Sequence, residues 1–92
     1  HTVLVGFGRV GQVVARGLSR KSLPFVVVDT DEHGVEAARE AGFEAISGNA
    51  AAKDVLSATN IAKARRLLVA IPDAFEASTI IEMAHKANPA LE

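Results

Sequence analysis

The sequence contains no cysteine, no tryptophan and no tyrosine. Without thiols there is neither a disulfide framework nor a thiolate metal site, and the composition fits a reducing compartment. The only aromatic residues are four Phe, and none lies in the basic stretch Lys63-Ala64-Arg65-Arg66. That stretch reads as a solvated loop, because it has no ring on which a base would stack. Neither sign of charge is in excess: 10 Lys and Arg stand against 11 Asp and Glu, for a net charge of −1. Bulk attraction to nucleic acid is therefore excluded. Long hydrophobic runs are also missing. Pro24-Phe25-Val26-Val27-Val28 falls far short of the roughly 18 residues that cross a bilayer. No basic segment leads into an apolar one, so no signal peptide is read, and the segment itself does not insert into a membrane. What is present is apolar: 49% of the 92 residues, with a mean hydropathy of +0.22. That excludes a disordered tail and bounds the chain to one domain. It is also more apolar surface than so small a unit readily buries alone.

Short β-branched runs alternate with segments of helical period. Thr2–Val5, Phe25–Val28, Glu44–Ser47 and Arg66–Ile71 read as strands. Between and after them, Arg9–Lys21, Glu32–Ala41, Ala50–Thr59 and Ala74–Ala87 read as helices. In the first helix the expected inward face is Val10, Val13, Val14, Gly17 and Leu18, in the second Val35 and Ala38, with Gly42 as the stop. The order β-α-β-α-β-α-β-α with strands apolar on both faces predicts an α/β fold, a Rossmann-like doubly wound parallel sheet of strand order 3-2-1-4. A fifth strand would normally follow Asn88-Pro89-Ala90-Leu91-Glu92. The sequence thus reads as a fragment of a larger protein, truncated before that strand, with its fourth strand an uncovered edge.

The informative motif is Gly6-Phe7-Gly8-Arg9-Val10-Gly11. Gly6 permits the tight turn out of the strand, Gly8 lets a phosphate approach the backbone, and Gly11 allows the helix to sit close on the sheet. The helix that begins there points its free N–H groups and positive dipole end at the phosphate. Asp29 follows the second strand, 18 positions beyond Gly11. There it is placed to accept hydrogen bonds from an adenosine ribose. A carboxylate at that point repels a ribose 2′-phosphate, so NADP is disfavoured relative to NAD, AMP, ADP or ATP. Arg9 offers a forked donor to phosphate oxygens, and a cation at a helix N-terminus asks for an anionic partner. Asn49 either hydrogen-bonds an adenine edge or caps the third helix, and Ala50 follows it. Ala70-Ile71-Pro72-Asp73 should line the base or ribose from the far side, with Asp73 capping the last helix; Asp31, with Thr30 beside it, should cap the second. The nucleotide-contact candidates are then Gly6, Phe7, Gly8, Arg9, Val10, Gly11, Asp29, Thr30, Asn49, Ala50 and Ile71. His1, His33 and His85 form no constellation, and no catalytic or metal-ligating set is read.

Four segments together carry a resemblance. They are Val3-Leu4-Val5-Gly6-Phe7-Gly8-Arg9-Val10-Gly11-Gln12, Val26-Val27-Val28-Asp29, Gly48-Asn49-Ala50-Ala51 and Leu67-Leu68-Val69-Ala70-Ile71-Pro72-Asp73. In this order and spacing the chain resembles the TrkA-N, or RCK N-terminal, domain over essentially its whole length. Within that family it is most similar to the cytoplasmic domain of Kef-type potassium (cation:proton) antiporters. The resemblance implies a non-catalytic regulatory domain that binds NAD(H) or an adenine nucleotide such as AMP. It further implies a homodimer, and a membrane-embedded cation transporter, in the same or a partner chain, served from the cytoplasmic face of the inner membrane. By the same resemblance Gly6, Gly8, Gly11 and Arg9 hold phosphate, Asp29 holds ribose, and Asn49 and Ala50 sit near adenine. The competing expectation is the cofactor-binding half of an NAD-dependent oxidoreductase, whose substrate domain would lie elsewhere.

Overall fold

The computed structural model describes residues 1–92. Its elements are β1 (Thr2–Val5), α1 (Arg9–Arg20), β2 (Phe25–Asp29), α2 (Glu32–Glu40), β3 (Glu44–Ser47), α3 (Lys53–Ala58), a short 3-10 turn (Ile61–Lys63), β4 (Arg66–Val69) and α4 (Ala74–Ala87). All four strands are parallel in the order β3-β2-β1-β4. Val3 pairs with Val26 on one side and Leu67 on the other, which places β1 in the centre. The order of a doubly wound half is therefore the observed one.

Strand periodicity sorts the core into two layers, because successive side chains leave a strand on opposite faces. Val3, Val5, Val26 and Val28 pack with Leu56, Ile61, Ile80 and Ala84, beneath α3, the 3-10 turn and α4. Leu4 and Val27 go the other way, into a smaller cluster with Phe7, Ala15 and Ala38 beneath α1 and α2. Leu4, Val3, Val27 and Val28 are fully buried. At about 1.5–3 kcal/mol for each buried aliphatic side chain, the two central strands are the main apolar contribution to the fold. The outer strands are less covered: every residue of β4 is half-buried, and Glu44 and Ser47 at the ends of β3 are exposed.

Three details differ from the sequence reading. The buried residues of α1 are Gly11, Ala15 and Leu18, with Val14 half-buried, whereas Val10 and Val13 are 63% and 60% exposed. The helix is rolled so that its smallest residues face the sheet. α3 starts at Lys53 rather than Ala50, because the backbone first makes a turn closed by Ala52 N–H on the Asn49 carbonyl at 2.9 Å. β4 ends at Val69, two residues short of the expected end. Beyond it Ala70 N–H still reaches the Val5 carbonyl at 2.8 Å, so the chain remains tied to β1 as it turns into the crevice.

The helix ends are set by local chemistry. Asp31 caps α2 through His33 N–H (2.9 Å), and Asp73 caps α4 through the N–H groups of Phe75 and Glu76 (3.0 and 3.1 Å). α2 stops where Gly42 was expected to stop it: Phe43 N–H returns to the Ala38 carbonyl and Gly42 N–H to the Arg39 carbonyl, each at 2.9 Å, in the paired pattern of a Schellman turn. At the far end, Glu92 N–H meets the Arg65 carbonyl (3.1 Å) while Leu67 N–H meets the Glu92 carbonyl (3.0 Å). This is a parallel bridge on the outer edge of β4. No helix is long and apolar enough to cross a membrane.

Candidate functional site

The C-terminal ends of the parallel strands open into a crevice of about 200 Å³, lined by Val5, Gly6, Val28, Asp29, Thr30, Gly48, Ala50, Ile71, Pro72, Asp73 and Glu76. Larger depressions lie elsewhere, one of them about 600 Å³ beside His1, Phe43 and Thr59 at the opposite end of the sheet. Size does not identify the site; the chemistry of the strand ends does.

Each glycine of the loop meets a different demand. Gly6 has φ +99°, and a Cβ there would lie 2.6 Å from the Ala70 carbonyl oxygen. A Cβ on Gly11 would lie 2.0 Å from the carbonyl oxygen of Gly6, so the helix closes directly on its own loop. The close partner of Gly11 is thus the loop carbonyl rather than the sheet surface. Around Gly8 a Cβ would meet nothing within 4 Å. The protein imposes no steric requirement for glycine at that point; the space opens outward, toward whatever approaches the helix end.

α1 begins without compensation. Its N-cap is Gly8, with no side-chain cap and no acidic residue in the first turn. α2 and α4 are each capped by an Asp and carry a Glu in the first turn, and the short α3 carries Asp54 there. The N–H groups of Gly8, Arg9, Val10 and Gly11 reach no acceptor in the protein. Arg9 is exposed and forms no ion pair; the one salt bridge is Arg65 to Glu92 at 3.6 Å. A helix N-terminus in this condition offers an anion free N–H groups and the positive end of the dipole.

Asp29 is already engaged. One carboxylate oxygen accepts Phe7 N–H at 2.8 Å and the other accepts Asp31 N–H at 2.9 Å. The side chain thereby ties the β1–α1 loop to the β2–α2 loop. Each oxygen keeps a further lone-pair direction, so a sugar diol can still donate to it. Gly34, near the start of α2, has a local reason: a Cβ there would lie 2.9 Å from the Asp29 Oδ2 atom. It is a site residue that the sequence pattern missed, and so is Glu76, whose position in the crevice depends on how α4 leaves β4.

The remaining candidates divide. Gly6, Asp29, Thr30, Ala50 and Ile71 line the crevice together. Gly8, Arg9 and Gly11 stand at the helix end, offering backbone donors and one guanidinium. Phe7 turns its ring into the core, edge-on to Phe43 at 6.2 Å between centroids, and its N–H is the group held by Asp29. The Val10 side chain points into solvent, so neither of these two side chains faces the crevice. Asn49 accepts Ala51 N–H at 2.8 Å, a capping turn set ahead of α3, which leaves its amide nitrogen uncommitted within the protein. The histidines do not converge: His1 contacts the Thr59 carbonyl and His85 the Leu91 carbonyl, while His33 is exposed at the start of α2.

Comparison with known proteins places this arrangement. The family model of the TrkA-N domain matches residues 2–92. The putative cation/proton antiporter YbaL of Escherichia coli K12 is 36% identical over 92 residues, which are all of this chain but only 16% of that protein. The crystal structure of the TrkA-N domain of E. coli inner membrane protein YbaL superposes with a TM-score of 0.96 at 36% identity, covering 100% of this chain and 68% of the other. A Kef C-terminal domain from Shewanella denitrificans, in AMP-bound form, superposes with a TM-score of 0.86 at 33% identity, covering 99% of this chain and 55% of that one. The match is to the TrkA-N regulatory domain, a non-catalytic accessory module, and not to an oxidoreductase half. Matched over residues 2–92 by the family model and along its whole length by relatives at 36% identity, the chain belongs to the TrkA-N domain family, homologous to the regulatory nucleotide-binding domains of Kef-type cation antiporters.

Proposed function

We propose that this domain binds NAD(H) or AMP in the crevice at the ends of β1, β2 and β4, and so regulates a membrane-embedded potassium or other cation transporter from the cytoplasmic face of the inner membrane. The observation that carries the reading is the start of α1, the one helix with neither a capping side chain nor an acid in its first turn. A phosphate there receives backbone N–H groups, the dipole end and Arg9. The adenosine ribose lies on Asp29 and Thr30, and adenine lies toward Asn49 and Ala50, with Ile71 as apolar cover. Support for the ligand class comes from the AMP-bound Kef relative, and support for the transporter from the antiporter relatives. Regulation follows if the nucleotide binds two arrangements of the assembly unequally, since only differential affinity shifts an equilibrium. Homodimerisation belongs to the same proposal. It is supported by the apolar surface left on α4, where Phe75 is 81% and Ile81 40% exposed.

Calorimetric titration tests the reading. AMP, NAD and NADH are expected to bind this chain, and NADPH to bind at least about tenfold more weakly because its 2′-phosphate meets Asp29. Gly8→Val is expected to abolish binding with the fold retained, because its side chain enters space that the protein leaves open and the poorer N-cap costs only about 1 kcal/mol. Equal affinity for NADPH refutes the Asp29 assignment. Undiminished binding by the Gly8→Val variant refutes the placement of the phosphate.

A further inference from the structure

The crevice has two walls, and they are chemically alike in one respect. Asp29 stands on the β2 side and Glu76 on the β4 side, with Gly6 between them at the end of the central strand. Asp29 is tied to two backbone N–H groups, whereas the Glu76 carboxylate forms no hydrogen bond and no ion pair. Its residue is half-buried on the first turn of α4. Two donors of that helix end are already taken: Asp73 accepts the N–H groups of both Phe75 and Glu76. The β4 wall therefore presents acceptors where the start of α1 presents donors. A ligand whose ribose sits at Asp29 and whose phosphate sits at the start of α1 must send anything beyond that phosphate across β1, toward Asp73 and Glu76.

From this we infer that Glu76 is a specificity-determining residue of the nucleotide site, one that selects for a second sugar and against further phosphates. The inference rests on the nucleotide-binding reading above. A sugar diol donates hydrogen bonds to a carboxylate that lacks a partner, whereas a β- or γ-phosphate brings two anions together at the crevice wall. Dinucleotides and ADP-ribose then satisfy the β4 wall, while ADP and ATP oppose it. AMP, which ends at its first phosphate, is indifferent to Glu76.

ADP-ribose, ADP, ATP and AMP serve as probes for titration of the unmodified chain and of Glu76→Gln, which keeps the shape and removes the charge. The unmodified chain is expected to favour ADP-ribose over ATP by about tenfold or more, the scale of a like-charge clash at a binding site. Glu76→Gln is expected to bring the two within a few-fold of each other, chiefly by a gain in ATP affinity, with AMP unchanged. A preference that is absent from the unmodified chain, or that survives Glu76→Gln while AMP still binds, overturns the role of Glu76 and leaves the nucleotide site standing. Failure of AMP itself to bind overturns the underlying reading and this inference with it. Glu76→Ala checks that the result does not depend on hydrogen bonding by the Gln amide; a Glu76→Ala variant that kept the full ATP discrimination would overturn the inference as well.

Discussion

Asp29 makes two structural hydrogen bonds whether or not a ligand is present, from Phe7 and from Asp31. Its replacement therefore has two separable effects. Asp29→Ala is expected to weaken adenosine-ribose ligands by about 1–3 kcal/mol, the scale of hydrogen bonds to a charged group. It is also expected to lower stability by about 1 kcal/mol or more, because Phe7 N–H loses its acceptor at a buried residue. Titration reads the first effect and chemical denaturation the second; an unchanged affinity would show that Asp29 does not touch the ribose. Much at this scale was legible before any coordinates. Gly6, Gly11 and Asp29 are required by turn, close approach and charge at fixed offsets along the chain. Gly34 and Glu76 were not legible. Their relation to the crevice is through space, set by where α2 and α4 turn back over the sheet, and no local pattern encodes it.

At the scale of elements, order and type followed from periodicity, but helix rotation did not. In α1 the residues Val10, Val13, Val14 and Leu18 form a plausible apolar stripe, yet the contact between Gly11 and the Gly6 carbonyl fixes the rotation and turns Val10 and Val13 outward. Hydropathy ranks Val above Gly and Ala, whereas the packing distance favours the smaller side chains. α3 was read too long for a related reason: its apolar period continues back through a turn that Asn49 and Gly48 have already redirected. The element most dependent on a single side chain is the 3-10 turn. Buried Asn88 donates to the carbonyls of Ile61 (3.1 Å) and Ala64 (2.7 Å) and accepts from Ala90 N–H (3.1 Å). Asn88→Ala leaves the Ala64 carbonyl without a donor, while the Ile61 carbonyl keeps Ala64 N–H at 3.1 Å; the change is expected to cost about 1–3 kcal/mol in denaturant unfolding. A loss below about 0.5 kcal/mol would mean that water replaces the amide.

For the whole molecule, the apolar excess is only partly absorbed by the two core layers. Phe75 stands 81% exposed on the outer side of α4, with Ile81 at 40%. If a second copy covers this face, Phe75→Ser shifts sedimentation from dimer toward monomer while the thermal stability of the monomer stays within about 0.5 kcal/mol of the parent, as expected for an exposed position. An unchanged dimer would move the interface away from α4. The sequence could indicate that apolar surface was in surplus, but not where. That depends on which helix faces the sheet leaves uncovered.

The double tie at Asp29 has a consequence for motion. A glycine loop whose Phe7 N–H is already fastened to Asp29 is set in shape at that point before a nucleotide arrives. Little ordering at Phe7 then accompanies binding. The strand ends beneath it are held as well, by Gly6 N–H on the Val28 carbonyl and Ala70 N–H on the Val5 carbonyl, each at 2.8 Å. Under the proposed function the nucleotide meets a seat already in shape, and the entropy lost on binding is chiefly its own.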